Sequence, residues 1–380
     1  MTLMQERTVC LERQDVELLF AALKTRGYLL AGPMVRDSAI VYDLLDNVDE
    51  LPAGWGDEQE AGRYRLKRRD DQALFGYNLG PHSWKKFLTP ARQRLWQGIK
   101  KTAGGFETVP DSETAPRYAF IGVRACELAA IHVQDRVFME GTFQDPLYAA
   151  RRADNFIVAV NCAQAGKTCF CASMNTGPRA GSGFDLALTE ILEPGHHYFV
   201  VETGSIKGAE VLAALPTRPA GSAALAAAQA ATDQALAHMG RSLDTSDIKE
   251  MMYRNYTNAR WAELEKRCLA CGNCTMVCPT CFCSKVEDVT DLTGDHAERW
   301  RSWDSCFSLD FSYIHGGCMR QSIRSRYRQW LNHKMATWFD QFATSGCVGC
   351  GRCISWCPVG IDLTAEVQAI RDSEKEQDDG

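Results

Sequence analysis

Nothing in this sequence approaches the roughly 18 consecutive apolar residues that a membrane-spanning helix needs, so a transmembrane-helix protein is not expected. Basic charge is not in surplus either: 42 Lys and Arg stand against 48 Asp and Glu, a formal net charge of −6. A nucleic-acid binder, whose affinity rests on neutralising phosphates, is therefore disfavoured. No G-x-G-x-x-G follows a strand-like run and no G-x-x-x-x-G-K-[ST] occurs, which removes the Rossmann fingerprint and the P-loop. H-E-x-x-H and H-x-x-E-H are missing too, and His82 and His132 read as lone surface or core histidines. The opening stretch MTLMQERTVCLERQD puts acidic residues where a secretory signal needs an apolar core, so a cytoplasmic protein is expected.

What the sequence does have is cysteine: 17 of them in 380 residues, an odd number that intramolecular disulfides cannot use up. In a reducing cytoplasm, C-x-x-C arrays are ligands or redox thiols before they are structural bridges. With 45% hydrophobic and 24% charged residues, the chain has the profile of a folded protein long enough for two cores.

Apolar spacing from Asp15 to Arg26 predicts an amphipathic helix stopped by Gly27. Strand-like runs follow at 39–42, 118–123, 156–160 and 198–201, several of them continuous enough for a sheet buried on both faces. The fold class is thus an α/β-type N-terminal domain, residues 1–205, with a mainly helical C-terminal two-cluster ferredoxin-like domain, residues 245–370. Between them 206–244 reads as an Ala-rich helical spacer, and 371–380 as a polar, frayed tail.

Two segments carry the strongest signal. Cys268, Cys271, Cys274 and Cys278, followed by Pro279, and Cys347, Cys350, Cys353 and Cys357, followed by Pro358, both spell C-x2-C-x2-C-x3-C-P. That run holds [4Fe-4S] clusters in two-cluster ferredoxins, the fourth cysteine reaching the other cluster. Cys268, Cys271, Cys274 and Cys357 are then expected on cluster 1, and Cys347, Cys350, Cys353 and Cys278 on cluster 2. Zinc is the competing reading, but it leaves the third and fourth cysteines and the proline of each array unexplained. Gly272, Gly349 and Gly351 fit loops that need small residues and positive φ. The long connection between the arrays predicts a helical insertion around 320–339 or an all-helical ferredoxin. Its Arg320, Arg324, Arg326, Arg328 and Lys334 read as solvated helix surface, with offsetting of cluster charge or docking of an acidic partner as the alternative.

A weaker group lies in the first domain. Cys126 follows the run at 118–123, while Cys162, Cys169 and Cys171 follow that at 156–160; loops at the ends of neighbouring parallel strands converge. The four are candidates for a third cluster, against a zinc site, a redox dithiol or ordinary core cysteines. Cys281, Cys283, Cys306 and Cys318 read as packing around the nearby cluster, with a separate metal site or thiol chemistry as alternatives. Cys10 reads as a lone buried thiol.

The stretches GVRACELAAI, NC…CFCASMNTGP…GFDLALTE, RCLACGNCTMVCPTCFCSKVEDV and WDSCF resemble the beta subunit of cytoplasmic NAD(P)-linked nickel-iron hydrogenases, or sulfhydrogenases, and the related A subunit of anaerobic sulfite reductase. The resemblance implies an electron-transfer subunit with no catalytic residue of its own, lying between a flavin/NAD(P)-binding diaphorase subunit and either nickel-iron hydrogenase subunits or a sulfite reductase catalytic subunit. It implies the eight array cysteines as ligands, two [4Fe-4S] clusters, and the 126/162/169/171 group as an additional cluster site. From another class, a heterodisulfide-reductase-like thiol enzyme would use the remaining cysteines; a redox sensor would need a DNA-binding element that the sequence does not display.

Overall fold

The computed structural model describes residues 8–109 and 115–378. Much of the stretch tested above for a secretory signal, residues 1–7, lies outside them. The predicted first helix forms as Val16–Thr25, burying Val16, Leu19, Phe20 and Leu23 on one face, and Gly27 leaves it at φ 81°.

Eight strands build the main sheet, in the spatial order Thr217–Pro219, Thr8–Glu12, His196–Thr203, Leu186–Glu193, Phe156–Val160, Tyr118–Val123, Leu29–Arg36 and Ala39–Leu44. Leu186–Glu193, Phe156–Val160, Tyr118–Val123 and Leu29–Arg36 run parallel to one another; the outer pairings are antiparallel. Alternate side chains of one strand feed two different cores: Phe156, Val158 and Val160 join Leu19, Phe20 and Leu23, while Ile157 and Ala159 join Leu128 and Ile131 on the other face. That alternation is why the run at 156–160 reads as continuously apolar.

The C-terminal half is mostly helical and has a core of its own, with Trp261, Leu264, Tyr327, Trp330, Leu331 and Val367 packed beside the array cysteines. Among the described residues no helix is long and apolar enough to cross a membrane.

Three expectations need correction. Residues 206–244 hold the Ala-rich helix, Ser222–Ala237, but as part of the first domain rather than a spacer between two: Thr217–Pro219 pairs with Thr8–Glu12 as the sheet edge, and the helix lays Ala224 against Cys10, Tyr198 and Val200. The connection between the arrays is not simply helical, because Ser284–Thr290 and His296–Trp303 form a hairpin whose second strand pairs with Arg92–Lys100. Its local sequence is polar, and the strand that completes the sheet comes from the other half of the chain, where no local pattern points to it. The tail is helical through Asp378 as part of Leu363–Asp378; Ser373 accepts from Asn258 and Glu374 from Arg254, which docks its first turn. Residues 379–380 lie outside the described ones.

Candidate metal centres

Each array folds the same way, for the same steric reason. Ala270 (φ 52°) and Gly272 (φ 77°) flank Cys271; Gly349 (φ 65°) and Gly351 (φ 74°) flank Cys350. These left-handed residues turn the chain around a common centre and start the short helices Asn273–Met276 and Arg352–Ser355, which carry Cys274 and Cys353. In both loops a backbone N–H two residues on donates to the first sulfur: Ala270 to Cys268 and Gly349 to Cys347, each at 3.4 Å. Three of the four turn positions were readable as glycines; Ala270 was missed, since alanine gives no sequence signal for positive φ.

Cys268, Cys271, Cys274 and Cys357 line one apolar cavity with Phe307, Tyr327, Trp330 and Ile361. Burial, then Cys268, Cys271 and Cys357, push the Cys274 thiol well up. Cys271 is exposed at the rim, beside Leu269 at 62% exposure. Cys353 lines the same cavity from its far side.

Cys353 also belongs to the second group. Its thiol is raised by burial and then by Cys347, Cys350 and Cys278. Cys347 is pushed up to about 12, chiefly by burial, with Lys334 opposing. Lys334 is not on a solvated stripe as expected: it is buried, donating to Cys278 Sγ at 3.1 Å and to the Gly346 carbonyl at 3.0 Å. Arg326 is buried likewise and donates to the Phe307 carbonyl. Burial raises Cys347 and Cys350 as it raises Cys353, while a hydrogen bond from Cys281 and the charge of Lys334 hold Cys278 well below the usual thiol range; a cationic iron core would bind all four as thiolates. Among the described residues no three His, Cys, Asp or Glu side chains close onto a single ion; most of the array cysteines and the N-terminal four line cavities instead.

The N-terminal group also comes together. Cys126, in the first turn of helix Ala125–Phe138, meets Cys162, Cys169 and Cys171 around a cavity that Tyr77, Arg124 and Cys350 complete. Burial, then Cys162, raises Cys169 to about 12. Arg124 Nε and Tyr77 Oη are buried there without a hydrogen-bond partner, a donor-rich wall that fits an anionic occupant. Phe170 N donates to the Gly349 carbonyl at 2.9 Å, locking this loop onto the second array.

Behind that contact Arg352, wholly buried, pairs with buried Glu127 and donates to the carbonyls of Gly80 and His82. Glu127 accepts in addition from Tyr42 and Trp84. Sequence reasoning named neither residue; a Glu one position after Cys126 and an Arg before Cys353 carry no signal of a 225-residue contact. His82 is half-buried near the Tyr42 carbonyl, and His132 is half-buried with burial lowering its basicity. Cys281 lies 3.8 Å from Lys334 Nζ, Cys283 and Cys306 meet at the end of the hairpin, and Cys318 sits against Ser312 in the short strand Gly317–Cys318.

These donor sets define a class, and comparison with known proteins agrees. The family model described as a 4Fe-4S dicluster domain matches residues 267–361, which span both arrays. The chain is thus a protein of two [4Fe-4S] clusters. Sulfhydrogenase 2 subunit beta of Pyrococcus furiosus is 30% identical over 335 residues, covering 87% of this chain and 96% of the relative. The chain belongs to the family of sulfhydrogenase beta subunits. No solved structure matches it.

Proposed function

We propose that this chain is the iron-sulfur subunit that carries electrons between a flavin- and NAD(P)-binding diaphorase subunit and a nickel-iron hydrogenase module, in the cytoplasm. Cluster 1 takes Cys268, Cys271, Cys274 and Cys357; cluster 2 takes Cys347, Cys350, Cys353 and Cys278; a third [4Fe-4S] cluster takes Cys126, Cys162, Cys169 and Cys171. Such clusters supply one-electron transfer at potentials set by their surroundings.

The observation that carries the reading is the sharing of sulfurs along a line. Cys353 borders both the first cavity and the second thiol group, and Cys350 borders both the second group and the N-terminal cavity. The protein's own residues do three things along that line. Left-handed turns hold the thiols apart at fixed spacing, Lys334 and Arg352 set cations beside the middle group, and apolar walls of Phe307, Tyr327 and Trp330 keep water from the first. The exposed Cys271 edge is the end open to a partner. Membership in a family named for one subunit of a larger enzyme supports a multi-subunit setting.

The test is anaerobic reconstitution with separately prepared diaphorase and hydrogenase subunits, following NAD(P)H oxidation and cluster reduction together. Reduction of this subunit's clusters should require the diaphorase, and reduction of the hydrogenase should additionally require this subunit. NAD(P)H oxidation by the subunit alone at the rate of the whole complex would overturn the carrier reading.

A further inference from the structure

Three cysteines outside these ligand sets gather beside them, Cys281 in contact with Cys278. The tetrapeptide Thr-Cys-Phe-Cys occurs twice, at 168–171 and at 280–283. Both threonines are completely buried, and the two copies grip the same array loop from different points: Phe170 N donates to the Gly349 carbonyl, and Thr280 Oγ1 donates to the Gly346 carbonyl at 2.6 Å. The first copy supplies two sulfurs to the N-terminal cavity. The second supplies Cys281 and Cys283, and the hairpin brings a third: Ser284 pairs with Trp303, Asp304 N donates to the Cys283 carbonyl at 2.9 Å, and the turn after it sets Cys306 against Cys283.

The charges around this trio are unusual. Lys85, 6% exposed, reaches across from the N-terminal half to donate to the Cys281 carbonyl at 3.2 Å, its ammonium 4.0 Å from the centre of the Trp303 ring. Burial lowers its basicity, with the sulfurs of Cys281, Cys278 and Cys283 opposing, and Glu127 lines the same cavity. Lys334 stands 3.8 Å from Cys281 Sγ on another side. Burying an ammonium costs several kcal/mol unless an anion faces it, roughly the penalty for any unpaired buried ion. Lys334 finds that anion at Cys278, a ligand of cluster 2. Lys85 lies against the Cys281 carbonyl and the Trp303 ring, so two buried lysines border the trio.

We propose that Cys281, Cys283 and Cys306 are thiolate ligands of a further iron-sulfur cluster, with Lys85 as its buried counter-charge. Three thiolates leave one coordination position of the cluster to a ligand other than cysteine. The site rests on the reading of the chain as an iron-sulfur carrier, and adds to it a centre beside Cys274 of cluster 1 and Cys278 of cluster 2.

The experiment compares full-length, anaerobically purified wild type with C281S and with the C283S/C306S double variant, by iron and acid-labile sulfide content and by electron paramagnetic resonance after stepwise reduction. Both variants should lose one cluster's worth of iron and sulfide while the signals of the two array clusters persist; absence of the array signals from wild type would instead count against the carrier reading itself. Retention of all iron by both variants overturns the proposal, as does a Cys283–Cys306 disulfide recovered from oxidised wild type at full iron content, which would mark a redox thiol pair. Should the double variant fail to fold, Lys85→Met, which keeps every ligand, decides. It should shift one signal outside the array pair to lower potential at unchanged iron content, and unchanged potentials throughout would overturn the assignment.

Discussion

The two arrays share one spelling and one backbone path, yet they occupy opposite environments. Position for position, Leu269 is 62% exposed where Val348 is 3%, Asn273 is exposed where Arg352 is wholly buried, and Cys271 is the exposed rim sulfur where Cys350 faces the N-terminal cavity. The ligand motif specifies how a loop wraps its iron; what packs against that loop specifies whether the centre meets a partner or another centre. The glycines record the difference. At the position before the second cysteine the first array carries Ala270, half-buried against the C-terminal core, while a Cβ on Gly349 would lie 2.6 Å from the Cys171 Cα.

The most drastic way to break the comparison is to remove a sulfur that crosses it. Cys278→Ala should cost the cluster whose other ligands are Cys347, Cys350 and Cys353, about four irons per chain by the stoichiometry of one cubane. Magnetic resonance should show the Cys268, Cys271, Cys274 centre still present. Loss of that centre instead would mean that each array binds its own four cysteines.

A methyl group tests the packing rather than the ligands. Gly351→Ala puts a Cβ 2.3 Å from the Thr168 carbonyl oxygen, in a left-handed conformation that itself costs roughly 1–2 kcal/mol for a non-glycine residue. Gly272→Ala bears the same conformational cost but meets nothing nearer than the Ser305 Oγ at 3.1 Å, a side-chain atom rather than backbone. The first should deplete iron from the second array and the N-terminal group together; the second should leave iron content intact and lower the melting temperature slightly. Equal losses would show that backbone strain, not the interdomain contact, governs both loops.

How much of this was legible follows the range of each contact. Ligand spacing is local, so the eight array cysteines could be named from the sequence, and the four of the N-terminal group could be gathered because strand ends of a parallel sheet converge. Three of the four left-handed turn positions announced themselves as glycine. Lys334 was read first as solvated surface, with offsetting of cluster charge as the alternative, because its neighbours Arg320, Arg324 and Arg328 share its charge, and no periodicity separates a lysine facing Cys278 from one facing water. Lys85 and Cys281 are 196 positions apart, and Arg352 and Glu127 are 225 apart; such pairings depend on how the sheet and the arrays dock, which no local pattern encodes. The hairpin at 284–303 was missed for the same reason, its third strand being supplied by Arg92–Lys100.

The docking includes one buried ion pair, which sharpens the contrast between Arg352 and Asn273. Glu127→Gln leaves the guanidinium of Arg352 buried without its counter-charge, and removing one partner of a buried pair costs about 3–5 kcal/mol. Asn273→Ala gives up one hydrogen bond to the Trp356 carbonyl at an exposed position and should stay within about 0.5 kcal/mol of wild type. Anaerobic urea unfolding of the iron-loaded proteins, read by circular dichroism, should show a clearly lower midpoint for the first and an unchanged one for the second. A wild-type midpoint for Glu127→Gln would mean that Tyr42 and Trp84, which also donate to this side chain, hold the interface without the charge.

The smallest effect separates the arrays electrically. Lys334 donates to Cys278 Sγ at 3.1 Å, and Cys278, encoded in the first array, is proposed above as a ligand of cluster 2. A cation and its N–H beside a ligand sulfur favour the reduced, more negative state of the cluster, so they raise its potential. Lys334→Met removes both while preserving most of the side-chain volume. The potential of cluster 2 should fall by an amount on the order of one tenfold change in the reduction equilibrium, about 59 mV for one electron. Lys334→Arg keeps the charge and should recover much of the shift. Cluster 1 feels Lys334 only across a longer distance, as the last of the influences on Cys274, and should move less. Potentiometric titration of the two signals in each variant measures all of this without reference to turnover. If both clusters shift equally, Lys334 acts through the general field of the C-terminal half and its hydrogen bond to Cys278 is incidental; if only cluster 2 moves, one buried lysine is enough to make two identically spelled arrays unequal as electron carriers.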